Sequence, residues 1–336
     1  MTIEEIEEVK LKIRNAFANI SFEKSDHSYT YDGYLLESSS KYRQQFEESF
    51  ESYYSAESKY KSNLKKNPFT KKTAEYYRER WDLISLEAIN LGKRVHLYSE
   101  TYPDFDEPSC IKEKGVVEFF DNLTSNYVLL FQELVMVDKE FYKAGTADLI
   151  FLNTDTGNLI IGDWKTNGKS IFENYKNKKL KGNFKNYAST SYNKYSMQLS
   201  HYQYMIEKET GFKVEAKWLI WLSNGPKKKE SKDYKYQKVN AIFKGKYFRA
   251  YNCKNFASKL GSQLDSVRAD ILMNLKKKPT FSGDITMDDL ENLDMELPKL
   301  QGLPKLAQAT LVDKNKNPVK KFVVNKHKKK NSYDFD

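Results

Sequence analysis

Three features of the 336-residue sequence predict an α/β fold in which helices flank a β-sheet. Apolar runs of strand length cluster over about residues 128–165. Stretches at helical spacing precede and follow them. The composition, 39% hydrophobic and 14% aromatic, is enough for a substantial core.

The elements follow in chain order. Ile3, Ile6, Val9, Ile13 and Phe17 recur at helical spacing and predict a surface helix over 3–19. "HSYTYDGYLLESS" (27–39) predicts a hairpin turning at Asp32-Gly33, followed by polar, tyrosine-rich helical sequence to about residue 62. After Pro68 a long helical pattern places Trp81, Ile84, Leu91 and Val95 on a buried side, with Gly92 able to admit another backbone. "YVLLFQELVMVD", "TADLIFL" and "LIIGDWK" read as strands. "NKYSMQLSHYQYMIEKETG" (193–211) reads as a helix, apolar at Tyr195, Leu199, Tyr202 and Ile206 and ended by Gly211. "KVEAKWLIWLS" and "YQKVNAIF" read as two more strands joined by "NGPKKKESKD", and a last helix is expected over 250–276. From 277 the chain turns polar, proline-interrupted and finally basic, which predicts a poorly ordered tail or docking arm.

Lys plus Arg number 56 against 46 Asp plus Glu, a net charge of +10 that suits a polyanionic partner. Two distant cysteines, Cys110 and Cys253, exclude a disulfide framework and any four-cysteine zinc or iron–sulfur site within this chain. The opening "MTIEEIEEVKLKI" is acidic and unlike a secretion or transit segment, and apolar runs such as "WLIWL" are too short to span a bilayer. A soluble, intracellular protein without membrane association is expected.

The chemistry concentrates in "AGTADLIFLNTDTGNLIIGDWKT" (144–166), where Asp148, Asp163 and Lys165 interrupt buried-strand sequence. If the turn "NTDTGN" closes a hairpin on Leu152 and Leu159, antiparallel register sets Asp148 opposite Asp163, with Cβ atoms roughly 5 Å apart. Lys165, two residues on, points to the same face. Two carboxylates that close repel unless a cation lies between them, and an oxygen-coordinated divalent ion such as Mg²⁺ resolves the conflict. Lys165 can position or help deprotonate a water and neutralise charge on a phosphate. The alternative is a half-exposed hairpin whose acids merely pair with lysines.

These residues resemble the PD-(D/E)xK nuclease superfamily, and more closely its RecB-like exonuclease branch. The resemblance rests on His96 in "LGKRVHLYSE", Asp148 in "AGTAD", Asp163 and Lys165 in "GDWKT", and Gln198 with Tyr202 in "MQLSHYQYMIE". It spans about 80–222, more weakly from residue 27, and in its "DWKT" form is also similar to the mitochondrial genome maintenance exonuclease and related phage exonucleases.

What the resemblance implies is a restriction-endonuclease-like core with a central mixed sheet. The expected parts are an N-terminal helical and hairpin region (1–75), the nuclease core (76–276) and the tail (277–336). His96, Asp148, Asp163 and the carbonyl of Trp164 would hold Mg²⁺ or Mn²⁺. Lys165 would serve the attacking water and the phosphate. Gln198 and Tyr202, one turn apart, would support the site or touch nucleic acid. Glu133 takes the place of an upstream acid, as a supporting or transient ligand.

Bland readings stand beside these: Tyr202 as core, Gln198 as a hydrogen-bond cap, Gly145 and Gly162 as requirements of a bulge or close packing, Trp164 as packing. The implied activity is a metal-dependent DNA exonuclease acting on single-stranded or free ends in recombination, repair or genome processing, in the cytoplasm of a bacterium or phage-infected cell. Flap or structure-specific endonuclease action, and a non-catalytic nucleic-acid-binding protein on the same fold, are the alternatives. No iron–sulfur cluster fits, and the absence of a Walker A sequence leaves any helicase to a separate chain.

"KTNGKSIFENYKNKKLKGNFKNY" (165–187) interleaves lysines with Phe172, Tyr175, Phe184 and Tyr187, and "YKSNLKKNPFTKK" has similar content. Lysines neutralise phosphates and rings stack on unpaired bases, although a solvated lysine-rich loop reads the same way. The tail is a candidate contact for a single-strand-binding or recombination protein.

Overall fold

The apolar runs build a seven-stranded mixed sheet whose two faces are both covered by helices. The computed structural model describes residues 1–167, 170–224 and 241–276. The elements are α1 (Ile3–Ala16), β1 (Ile20–Glu23), β2 (Ser28–Tyr31), β3 (Tyr34–Leu35), β4 (Glu37–Ser38), α2 (Ser39–Gln44), α3 (Ser52–Lys66), α4 (Ala74–Ser99) and α5 (Ile111–Asp121). There follow β5 (Tyr127–Asp138), β6 (Lys143–Asn153), β7 (Asn158–Lys165), α6 (Ser191–Thr210), β8 (Val214–Leu222), β9 (Phe243–Lys244), β10 (Phe248–Asn252) and α7 (Ala257–Lys276).

The large sheet runs β4-β6-β7-β8-β10-β9, with β5 on the other edge of β6. β5, β6 and β7 are antiparallel neighbours; β7 and β8 run parallel, and α6 makes the crossover that a parallel pair requires. Side chains alternate between two cores. Ile150, Leu152, Leu159 and Ile161 face α1 and α6, whereas Leu149, Phe151, Ile160 and Trp164 face α4 and α5. A third cluster, including Tyr42, Phe184, Met197 and Phe256, packs against the far side of α6.

Local signals explain the ends. Thr2 and Glu5 form a capping box at the start of α1. Asp32 and Gly33 take φ of +49° and +76°, the pair of positive values that a tight hairpin turn between β2 and β3 demands. Gly211 closes α6 at φ +75°.

Several expectations are corrected. The last helix begins at Ala257, and residues 248–252 form strand β10 against β8 instead. Of "YQKVNAIF", Phe243 opens the two-residue β9, while 236–240, most of "NGPKKKESKD" and the tail 277–336 lie outside the described residues. On α4, Val95 is buried and Trp81 and Leu91 are half-buried, but Ile84 is exposed, because among the described residues no element covers 82–90. Among the described residues Gly92 admits no close backbone: a Cβ there would meet only the Thr166 hydroxyl, at 3.9 Å. The polar stretch after the hairpin is helical as expected, in two segments, α2 and α3.

One buried group makes stability acid-sensitive. His201 on α6 is fully enclosed beside Tyr42, and neither ring nitrogen has a hydrogen-bond partner among the described residues. Burial, with the Lys143 charge adding to it, depresses its pKa to about 3. The unfolded chain takes up this proton below about 6.5 and the folded chain does not, so this contribution is intact above that pH and is lost as pH falls toward 3. Urea unfolding at pH 7.5 and 5 should show the native protein losing about 2 kcal/mol more than a His201→Phe variant. Equal losses would remove His201 from the balance.

Candidate functional site

Adjacent strands bring acidic residues to one rung of the sheet. β6 and β7 pair Leu152 with Leu159 and Leu149 with Gly162, the register expected from "NTDTGN"; the ladder ends there, one residue short of Asp148 and Asp163, which line the same cavity. On its other edge β6 pairs Leu149 with Gln132 and Ala147 with Leu134, which sets Glu133 opposite Asp148. Glu133 stands at φ +48°, a left-handed conformation that costs a non-glycine residue on the order of 1–3 kcal/mol.

The sheet is open at this rung. The edge of β6 that meets β7 at residues 149–153 meets β4 at 143–144, and residues 145–148 between them are paired with neither strand. Into the splay opens a cavity of about 210 Å³. It is lined by His96, Glu133, Asp148, Asp163, Lys165, Gln198 and Tyr202, and also by Tyr29, Thr146 and Ser38–Ser40.

Each side chain is held by neighbours. His96, in the last turn of α4, has Nδ1 3.0 Å from Glu133 Oε1 and Nε2 3.6 Å from Asp148 Oδ2. Asp148 Oδ2 accepts the backbone N–H of Trp164 at 2.7 Å, closing the ladder where the strands part. Lys165 Nζ lies 2.5 Å from Asp163 Oδ2 and 4.7 Å from the centre of the Tyr195 ring. The Gln198 amide donates to the Tyr202 hydroxyl at 2.7 Å. The Trp164 indole is buried against Phe119 and Phe120, on the opposite side of the sheet from the cavity-facing acids.

Gly145 is required by close packing. A Cβ there would lie 2.5 Å from Tyr202 Cε1 and 2.8 Å from Ser39 Oγ, so α6 and α2 could not close on β6. Gly162 is similarly tight, with Leu149 Cβ at 3.1 Å from the same construction.

The N-terminal wall was not singled out from sequence. Tyr29 shares a 3.0 Å hydroxyl contact with Thr146, and the Ser39 hydroxyl donates to the Ala144 carbonyl at 2.9 Å. Only the weak extension of the resemblance to residue 27 pointed there, because these partners lie more than a hundred residues apart.

The electrostatics are those of crowded, desolvated charge. Burial raises the pKa of Asp148 and pushes Asp163 up to about 6, against the opposing pull of nearby cations. Chiefly the Asp148 charge, helped by Glu133 and opposed by burial, lifts His96 to about 9. Burial works to strip Lys165 of its proton, but Asp163 and Asp148 outweigh it and hold the ammonium above its ordinary value. An additional cation beside the acids would relieve their repulsion.

The donor set suits a metal ion. Ligand atoms of His96, Glu133 and Asp148 all lie within 4.8 Å of one another, one imidazole and two carboxylates. Asp163, expected from sequence among the ligands, is held by Lys165 instead of belonging to this closest group. Glu133 on His96 Nδ1 is also the arrangement by which a carboxylate fixes a ligating imidazole and leaves its other nitrogen directed elsewhere.

Of the interleaved aromatics after Lys165, Phe184 is fully buried and Phe172 and Tyr187 pack against core clusters; Tyr175 is exposed. Among the described residues no helix is long and apolar enough to cross a membrane. Compared with models of protein families the chain matches none, and no curated protein matches it either.

Proposed function

We propose that the chain is a metal-dependent nuclease that hydrolyses phosphodiester bonds in DNA, in the manner of the PD-(D/E)xK enzymes its motifs resemble. One observation carries the reading. His96, Glu133, Asp148, Asp163 and Lys165, drawn from a helix and three strands, all line a single cavity at a break in the sheet. A structural ion-pair network has no need of that break or of a glutamate in a left-handed conformation.

His96 and Asp148, with Glu133 or Asp163, would hold Mg²⁺ or Mn²⁺, which when bound polarises a phosphate and acidifies a water. The Trp164 carbonyl is a further candidate ligand. Lys165 remains an ammonium in its buried pair with Asp163, which favours its acting as a fixed positive charge toward the phosphate rather than as a base. Gln198 holds the Tyr202 hydroxyl, and Tyr202 in turn packs against Gly145, so this pair sets the shape of the cavity wall.

The test is substrate topology. Purified protein with Mn²⁺ or Mg²⁺ should degrade end-labelled linear single-stranded DNA and spare circular single strands if it works from ends. Nicked circles would move the reading to an endonuclease, and intact DNA in every arm would refute it.

A further inference from the structure

A second concavity lies away from the metal-type site, between α3, the early turns of α4 and the turn at Tyr175–Lys178. Its volume is about 870 Å³, and its walls include Phe50, Tyr54, Lys59, Trp81, Tyr175 and Lys178. We infer that this groove holds an unpaired DNA strand, its rings stacking on bases and its lysines neutralising phosphates. The inference deepens the nuclease reading and rests on it only for where the strand leads.

The rings are the first ground. Phe50 and Tyr54 are each 70% exposed and Tyr175 68%, while most other aromatics among the described residues are drawn into cores. Trp81 is half-buried with its ring edge-on to Phe50, centroids 5.7 Å apart. Large flat surfaces left in water around one concavity mark a binding surface, and flat bases are the partners that ring faces fit whatever their sequence.

The charge is the second. α3 carries four lysines against one glutamate, and of these Lys59 joins Lys178 on the groove wall. Lys178 pairs with Glu48 at 2.6 Å, but both side chains are about half exposed, and such a pair yields readily to a phosphate. Ser55, Ser58 and Ser62 recur at helical spacing along the same face of α3, giving the floor short hydroxyl donors in place of bulk.

The third is connection. Trp81 and His96 lie on one helix, fifteen residues apart, a rise of about 22 Å. A strand seated against Trp81 can follow α4 toward the cavity at its C-terminal end. An acidic peptide would satisfy the lysines but leave the rings without flat partners, so DNA is the better occupant.

Anisotropy of a labelled oligo-dT with the full-length chain, in chelator, reads the groove without metal. Tyr54→Ala should weaken binding about 5- to 140-fold, and Trp81→Ala comparably. Lys59→Glu should reduce the slope of log affinity against log salt by about 0.7 for one lost phosphate contact. Tyr54 and Lys59 are exposed, so neither change threatens folding. Quenching of Trp81 fluorescence on titration, absent in Trp81→Phe, would locate the strand independently. Unchanged affinity in Tyr54→Ala and Lys59→Glu would overturn the proposal. So would tighter binding of oligo-rU than of oligo-dT, or competition by polyglutamate where oligo-dT fails to compete. None of these outcomes touches the metal site, which the cleavage assay decides separately.

Discussion

A Lys165→Ala variant should still take up Mn²⁺ and bind oligonucleotide, yet cleave about 10²- to 10⁴-fold more slowly. The expectation follows from the position of the ammonium. It lies 2.5 Å from Asp163, faces the same cavity as His96 and Asp148, and is kept protonated by two acidic neighbours. A fixed positive charge in a desolvated site acts on charge that develops during reaction, so its removal is read in turnover more than in binding. The substitution also leaves Asp163 without its partner, and breaking a buried pair can destabilise by about 3–5 kcal/mol. A far-ultraviolet spectrum and the retained Mn²⁺ uptake therefore belong to the same experiment, with Lys165→Met as a bulkier second variant. Undiminished cleavage by folded Lys165→Ala would remove the residue from the chemistry.

The central hairpin was legible because a short-range rule governs it. The loop "NTDTGN" closes on the pair of Leu152 and Leu159, and that register runs to Leu149 opposite Gly162, the residues next to Asp148 and Asp163. α6 was legible for the same reason, with a regular stripe at Leu199, Tyr202 and Ile206 and a glycine stop.

What local patterns do not carry depends on distant partners. Glu133, expected near the site only through the resemblance, reaches the rung through the β5–β6 pairing, which contains an irregularity between Leu129 and Phe131 that no local pattern announces. β10 reads as the start of a helix until β8, some thirty residues earlier, supplies its ladder. α5 carries Gly115 within its apolar pattern. That glycine is there for the Tyr247 carbonyl, which a Cβ would approach to 2.9 Å. Ile84 shows the converse: periodicity marks an apolar stripe, but burial needs a neighbour, and 82–90 have none among the described residues.

The metal site makes the other large prediction, in thermal stability. An ion that binds only the folded chain stabilises it by about 2.7 kcal/mol at a hundred times its dissociation constant. For a domain of this size that is a rise in Tm of roughly 5–10 °C on adding Mn²⁺. The rise should vanish in His96→Ala and in Asp148→Asn, because their facing atoms, 3.6 Å apart, lie at the centre of the donor group. Glu133→Gln separates two roles for the third acid. If Glu133 serves by holding His96 through Nδ1, the amide keeps a polar contact and Mn²⁺ affinity falls by about 10- to 100-fold. A direct ligand would be lost altogether, and Glu133→Gln would then match Asp148→Asn. Asp163→Asn is the counterpart, since Asp163 stands paired with Lys165 outside the closest donor cluster. Should Asp163→Asn abolish the shift while Glu133→Gln only weakens it, the ion is held by the ligand set expected from sequence, and Glu133 orients the imidazole. A Tm that ignores Mn²⁺ in the native chain would mean that these acids hold no ion, and the nuclease reading would fall with them.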